Sequence, residues 1–436
     1  MKVSSSPRFP YRYTPEKTPS YTLTRAEGLS FEEAASDGFN YVRKYLFKKE
    51  TAPVETVAHF QDQKRLFAYL QSSQKLALST SLAMVGDIVW VRDSWDRFVQ
   101  PGVLEQLSRS DVRLGNLETP ISQDHPVPEW AHAVHRFNSR PELLTSFAPA
   151  QFTAVSTANN HSLDQGVEGA RNTLSFLKEQ GILQSGMGQP GEKRFTTFTH
   201  HGIKFGLYAC TWGLNNPAAE NPEGWQLNLL KGQAPRVEGK TPPGPPDLGE
   251  IRQVLAQMEG EGVEVKIASL HWGHEYEHYP LPEQMQLARE VVAAGADVIM
   301  GHHPHVVQPS EVLFVNGAES ELPLQAQEWV KNSCLEDPSG RPRKALVTYS
   351  LGNFCTNDLT QECQIGAIAR MEFGRDEKGQ VIWQNPSTDF VYNRRGAFYE
   401  GDFGPRQLLT LDEDAPSGFR KTYEEMKERL PGAVSL

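Results

Sequence analysis

The sequence predicts an α/β fold whose chemical groups gather where β-strands end. Three observations carry that expectation. Short apolar runs of strand length alternate with longer amphipathic runs of helical period along most of the chain. Clusters of Asp, Glu, Asn and His follow the apolar runs directly. Helical runs then follow several of those clusters, and open α/β sheets bind ligands at the carboxyl ends of their strands.

Composition sets the outer bounds. The chain has 436 residues, enough for one large α/β domain with extensions or for two domains. Its formal net charge of -11 argues against broad nucleic-acid binding. No apolar run is long enough to span a bilayer, and the Pro/Ser-rich start, 1–20, lacks the apolar core of a secretory signal. The four cysteines, Cys210, Cys334, Cys355 and Cys363, form no close framework. A soluble, cytoplasmic protein is the expectation.

Residues 1–75 read as an N-terminal helical extension, with one helix around Ser30–Ala35 and another over 61–72. A main domain is expected over 76–391, with insertions near 215–248 and 316–343, and a C-terminal tail over 392–436. Within the domain, 76–85 is a strand running into Gly86-Asp87, which presents a carboxylate. A helix is expected over 94–107. A short strand over 111–115 leads to Asn116 and Glu118, whose spacing of two points both to one side. The strand 152–158 ends in Asn159-Asn160-His161-Ser162-Leu163-Asp164, followed by a helix over 167–179. There Asp164 can orient His161 or cap the helix.

The runs 195–199 and 204–210 read as a hairpin about His200-His201-Gly202, whose histidines are taken as turn residues. The insertion 215–248 is rich in Pro, Gly and Asn, as a long surface loop is. Strand 263–270 ends in His271-Trp272-Gly273-His274-Glu275-Tyr276. After a helix over 282–294, strand 296–300 ends in Gly301-His302-His303-Pro304-His305. Strand 345–350 is followed by Gly352-Asn353, and 365–373 with 381–391 reads as a closing hairpin. The charged helix over 422–430 is expected to be a solvated face. Imidazole together with oxygen donors suits Zn²⁺, Mn²⁺ or Fe²⁺ rather than Ca²⁺.

With these clusters in order, the chain resembles the poly-γ-glutamate capsule biosynthesis (CapA) family, related to the calcineurin-like metallophosphoesterases. The matching motifs are Gly86-Asp87 with Arg92, Asn116-Leu117-Glu118, and Ala158-Asn159-Asn160-His161 with Asp164 and Gly166. They continue with His271-Trp272-Gly273 and Glu275-Tyr276, His303-Pro304-His305 with Gln308, and Ser350-Leu351-Gly352-Asn353-Phe354. The resemblance implies a four-layer α/β/β/α metallophosphoesterase-like sandwich with a metal centre at the sheet edge. Two departures bear on the ligand set. The metallophosphoesterases open with Asp-x-His, where this chain has Val89 in the third position, and carry an Asp where it has Asn116 and Glu118. The expected cofactor is therefore one or two divalent transition-metal ions.

The expected ligands are Asp87, Asn116, Glu118, Asn160, His271, His303 and His305. His161 is the expected general acid, with Asp164 holding its ring. Glu275 is open between ligand, hydrogen-bond partner of a ligand, and base. Arg92, Asn159, Tyr276 and Asn353 are expected to bind substrate. The expected chemistry is hydrolysis of a phosphoester or of a γ-glutamyl or related amide bond by a metal-activated water. The substrate would be a small anionic or peptide-like molecule, and a partner subunit is open. The alternative is a non-catalytic, metal-stabilised scaffold or anionic-polymer-binding subunit of a capsule-type assembly.

Overall fold

The computed structural model describes residues 52–70, 79–89, 99–127, 137–215, 225–230, 246–356, 360–395, 405–411 and 415–427. The main helices are α1 (Val54–Leu70), α2 (Pro101–Ser108), α3 (Gly166–Glu179), α4 (Gly249–Gly260), α5 (Pro282–Ala293), α6 (Leu324–Trp329) and α7 (Ser417–Lys427). The first strands are β1 (Ser79–Val89), β2 (Val112–Glu118), β3 (Ala154–Ser156), β4 (Leu183–Ser185), β5 (Phe195–His200) and β6 (Ile203–Thr211). Then come β7 (Val265–His271), β8 (Val298–His302), β9 (Ser310–Val315), β10 (Cys334–Leu335) and β11 (Arg343–Thr348). The chain closes with β12 (Asn353–Cys355), β13 (Ile365–Arg375), β14 (Val381–Arg395) and β15 (Pro405–Thr410).

These strands make two large sheets. The first has the order β15-β14-β13-β1-β2-β3-β4, with β12 also paired to the end of β1. The second has the order β10-β9-β11-β8-β7-β6-β5. In the first, β1 runs parallel to β2, and β2 to β3. In the second, β6, β7, β8 and β11 run parallel to one another, while β5 and β9 pair antiparallel with β6 and β11.

Alternation along the strands explains the layering. Leu82 and Met84 of β1 face inward, against Phe205, Leu207, Ile267, Val298 and Met300 of the second sheet. Ala83 and Val85, the residues between and after them, face outward against Val103 and Leu107 of α2 and Leu177 of α3. On the far side of the second sheet, Val254 and Met258 of α4 and Met285 and Val292 of α5 cover Tyr208, Ala268 and Ile299. The result is helix, sheet, sheet, helix, the architecture that the resemblance implies. Each fully buried aliphatic or aromatic side chain contributes about 1.5–3 kcal/mol relative to exposure.

Several elements differ from expectation. Strand β1 continues through Gly86 and Asp87, and β2 through Asn116 and Glu118, so these groups lie in the sheet itself. The segment 316–343 is not wholly a polar excursion. It carries β10 into the second sheet, and Ala326 and Val330 enter the inter-sheet core. The C-terminal helix is not a solvated face either. It lies at 417–427, and Phe419, Tyr423 and Met426 are buried in the same core. The charged residues between them masked that apolar stripe. The expected helix at 30–35 and residue Arg92 fall outside the described residues. Among the described residues, no helix is long and apolar enough to cross a membrane.

Candidate metal centre

The two sheets present their parallel strand ends at one pole, and the polar clusters meet there. Register sets this up. Asp87 lies opposite Asn116 on one side and Asn353 on the other, while His302 lies opposite His271. Two glycines permit the approach. A Cβ on Gly86 would collide with the Gly352 carbonyl, and one on Gly301 with the Tyr349 carbonyl. With hydrogen alone at position 86, Asp87 N donates to Gly352 O at 2.9 Å.

The histidine-bearing loop is held in an uncommon backbone. His303 and His305 have φ of 97° and 58°, and Tyr276, whose N donates to Pro304 O at 2.8 Å, has φ of 63°. Left-handed φ in non-glycine residues costs energy and persists where the surroundings over-determine it, most often at functional sites.

Asp87 is the centre of one half of the cluster. Its Oδ1 accepts from Asn116 Nδ2 at 2.9 Å and lies 3.0 Å from His302 Nδ1. Its Oδ2 accepts from the His303 backbone N at 3.2 Å and lies 3.4 Å from His305 Nδ1. In the other half, His271 Nε2 lies 2.9 Å from Asn160 Oδ1 and 3.3 Å from Glu118 Oε1. The His271 and His303 rings are 4.8 Å apart, and the His303 and His305 rings 5.9 Å.

Three overlapping groups offer ligand atoms within 4.8 Å of one another: Asp87, Glu118 and His305; Glu118, His271 and His303; and Glu275, His303 and His305. Glu118 is common to the first two, the position from which one carboxylate can serve two ions. The donor set fits a divalent transition metal on a direct observation. His303 is buried with no hydrogen-bond partner on either ring nitrogen, and Glu118 Oε1 is in the same condition. Orphaned buried polar atoms cost about 1–3 kcal/mol each, so native structures keep few without a reason.

The electrostatics divide the cluster by protonation. Burial depresses His271 and His303 well below the ordinary imidazole range, and neighbouring histidines add to it. Both are thereby kept neutral, the form that ligates metal. Burial would also depress His305, but Glu118 and Asp87 outweigh it and raise His305 well above the usual value. Burial would raise Asp87, but His302 and His305 bring it well below the carboxylate range. Glu118 is pushed well up by burial and by the Asp87 charge.

His161 sits beside this cluster. Its Nδ1 lies 2.6 Å from Asp164 Oδ2, and Asn215 Nδ2 lies 3.1 Å from its Nε2. Phe137 stacks on the ring at 3.7 Å between centroids and 11° between planes. The Phe137 backbone N donates to the same Asp164 oxygen at 2.6 Å. Asn215 also accepts from Asn160 Nδ2 at 3.1 Å, which ties His161 to the cluster through one amide.

Three expected site residues are engaged in hydrogen bonds. Asn116, an expected ligand, has its oxygen 3.3 Å from Asn159 Nδ2, and its nitrogen donates to Asp87 Oδ1 at 2.9 Å. It is a hydrogen-bond hub between ligand candidates. Asn159 was expected to bind substrate, but it is fully buried and donates to Leu117 O at 2.8 Å while accepting from His161 N at 3.1 Å. Asn353, also expected to bind substrate, is fully buried, with Oδ1 2.8 Å from His305 Nδ1 and Nδ2 donating to Cys363 O at 3.0 Å. It orients His305. Tyr276 lies at the cluster edge, 6.3 Å from the His305 ring between centroids. Sequence reasoning missed His302, Phe137 and Asn215. His302 was legible as part of the same histidine run. Phe137 and Asn215 belong to no motif, and only tertiary packing brings them to His161.

A buried carboxylate–imidazole–amide cluster at the strand ends of an α/β/β/α sandwich marks this class of chain as one built around a metal-capable centre. Residues 81–358 match the family described as bacterial capsule synthesis protein PGA_cap, and the chain belongs to that family. It is 28% identical over 243 residues to the PGA biosynthesis protein CapA of Bacillus subtilis, covering 53% of this chain and 59% of the relative. It is 28% identical over 288 residues to the capsule biosynthesis protein CapA of Bacillus anthracis, covering 63% of this chain and 59% of the relative. The chain thus spans about three-fifths of the length of both relatives. Among solved structures it is similar to the calcineurin-like phosphoesterase YfkN of Bacillus subtilis, at 13% identity and a TM-score of 0.37, covering 80% of this chain and 98% of that one.

Proposed function

We propose that this chain is a metal-dependent hydrolase acting on a phosphoester or on a γ-glutamyl or related amide bond, in the metabolism of an anionic polymer such as poly-γ-glutamate. The observation that carries this reading is the buried His303 imidazole, with neither nitrogen hydrogen-bonded, among Glu118, His271, His305 and Glu275. The names of the CapA relatives support the link to capsule polymer.

Asp87, Glu118, Asn160, His271, His303 and His305 would hold one or two ions of the Mn²⁺, Zn²⁺ or Fe²⁺ type. When bound, such an ion supplies Lewis acidity and lowers the pKa of water toward neutrality. The chain's own residues do the rest. Asp164, as a carboxylate an acceptor, holds the His161 Nδ1 proton and leaves Nε2, 3.1 Å from Asn215 Nδ2, as the proton-transferring atom. Phe137 fixes the plane of that ring. Asn353 fixes His305, and Asn116 fixes Asp87. From its place in the motif, Arg92 is the candidate anchor for an anionic substrate group, and Glu275 and Tyr276, at the His303–His305 side of the cluster, are further candidates for substrate contact.

The test is metal content per chain, measured without chelator for wild type and His303→Ala, followed by turnover on ester and amide panels. The expected result is tightly bound transition metal that the variant loses, with turnover abolished by chelation and restored by Mn²⁺ or Zn²⁺. Absence of metal in wild type after soaking with either ion would overturn the reading. Bound metal without turnover on any substrate would favour a metal-stabilised, polymer-binding subunit.

A further inference from the structure

A second group of metal-ligand residues lies at the opposite pole. Asp111, His200 and His201 each offer a ligand atom, all within 4.8 Å of one another. Asp111 immediately precedes β2 in the first sheet, and the two histidines form the β5–β6 corner in the second. The pole is set by β1. The hydroxyl of Thr80 donates to His200 O at 3.3 Å, and His201 Nδ1 lies 3.2 Å from Ser79 O. Asp87 is eight residues further along β1, so the two groups are about 26 Å apart.

Each residue is prepared for a cation in its own way. A carbonyl can only accept, so the contact to Ser79 O makes His201 Nδ1 the protonated nitrogen and leaves a lone pair on Nε2. A metal-ligating histidine is commonly held in this manner, its other N–H given to a backbone carbonyl. His200 Nδ1 is buried with no hydrogen-bond partner. The two rings are 4.2 Å apart and inclined at 54°, so they are not stacked for packing. Asp111 Oδ2 accepts from Ser81 N at 2.9 Å and from Ser81 Oγ at 2.8 Å, which holds the carboxylate in place. The turn itself has φ of 45° at His201 and 75° at Gly202, the pairing of a two-residue turn with positive φ at both centres. Asn or Asp is the economical residue at the first of those positions. An imidazole there raises the local cost and places a ligand over the first sheet.

We infer that Asp111, His200 and His201 form a second, surface metal site for a divalent cation of the Zn²⁺ class. Two imidazoles and a carboxylate match the ligand chemistry of zinc with a fourth position open to water. A cation held there joins the β5–β6 hairpin of one sheet to the start of β2 in the other. The site is independent of the cluster at the strand carboxyl ends.

Zinc titration of the metal-stripped full chain tests this directly, with stoichiometry read by calorimetry and native mass spectrometry. The His200→Ala/His201→Asn variant is expected to bind one zinc fewer than wild type. Equal stoichiometry and affinity in the two would overturn the inference. A second measurement needs no variant. Diethyl pyrocarbonate modification of the exposed His201 in wild type should slow roughly tenfold with free zinc at ten times the site's Kd, the factor 1 + [L]/Kd. Unchanged labelling of His201 in saturating zinc would equally overturn it.

Discussion

His161 differs from the other histidines of the central cluster in what surrounds it. A carboxylate, a stacked phenyl ring and an amide hold it, whereas His271 and His303 face other ligand candidates. That difference separates proton transfer from metal binding in experiment. His161→Ala should keep its bound metal and lose turnover by roughly 10²–10⁴-fold, the range for removal of a general acid–base. Loss of metal together with turnover would reassign it as a ligand. Asn353→Ala should act on the metal instead. It removes the shorter of the two contacts to His305 Nδ1, leaving Asp87 Oδ2 at 3.4 Å, and should weaken metal affinity roughly 10–100-fold, as measured by competition with a chelating dye. Affinity equal to wild type would remove Asn353 from the set that orients ligands.

At the scale of elements, the cluster depends on how closely strands approach. Gly301 lies where β8 passes the Tyr349 and Thr348 carbonyls, with no room for a methyl group. Gly301→Ala must push β8 from β11 and move His302 and His303 with it. Overpacking of this kind costs about 1–3 kcal/mol, which a shift in urea midpoint would register alongside reduced metal affinity. Helix α7 makes a separate point. Tyr423 is fully buried in the inter-sheet core and packs against Phe390 at 5.0 Å between ring centroids. Tyr423→Ala should destabilise by about 3–5 kcal/mol, the range for buried aromatic truncation. A change within about 0.5 kcal/mol would mean that the helix is the dispensable surface feature its charges suggest.

Across the whole molecule, α1 is secured to the second sheet by a buried ionic network. His59 Nε2 lies 2.7 Å from Glu311 Oε2, Arg289 donates to both Glu311 oxygens at 2.8 and 3.0 Å, and the Tyr349 hydroxyl donates to Oε1. Burial would raise the Glu311 pKa, but Arg289, His59 and Tyr349 outweigh it and lower it from 4.5 to about 2. A folded-state value below the unfolded one means that the native chain binds fewer protons in that window. The contribution, roughly 3 kcal/mol, is fully present above about pH 5. It is lost as pH falls through the folded value near 2. Glu311→Gln should flatten this acid limb of stability against pH, and it should cost about 3–5 kcal/mol at neutral pH by leaving Arg289 buried without its charge partner. An unchanged acid limb would show that other carboxylates set it.

Much of this arrangement is legible in the chain alone, because strand period and strand-end composition are local properties. Short apolar runs marked β1, β2, β3, β7 and β8, and the polar residues at their ends marked Asp87, Glu118, Asn160, His271, His303 and His305 as belonging together. What the sequence could not assign was the role of each amide. Asn116, Asn159, Asn160 and Asn353 are chemically alike, and only the neighbours of each amide distinguish a ligand from a hub or a brace. Nor could it bring Phe137 to His161, or Asp111 to His200 and His201. Those pairs are distant in the chain and joined by no periodicity, so sheet register and packing alone place them. The sequence by itself determined the fold class and the pole at which chemistry gathers. The tertiary structure decided which polar groups are satisfied and which are left facing a common centre.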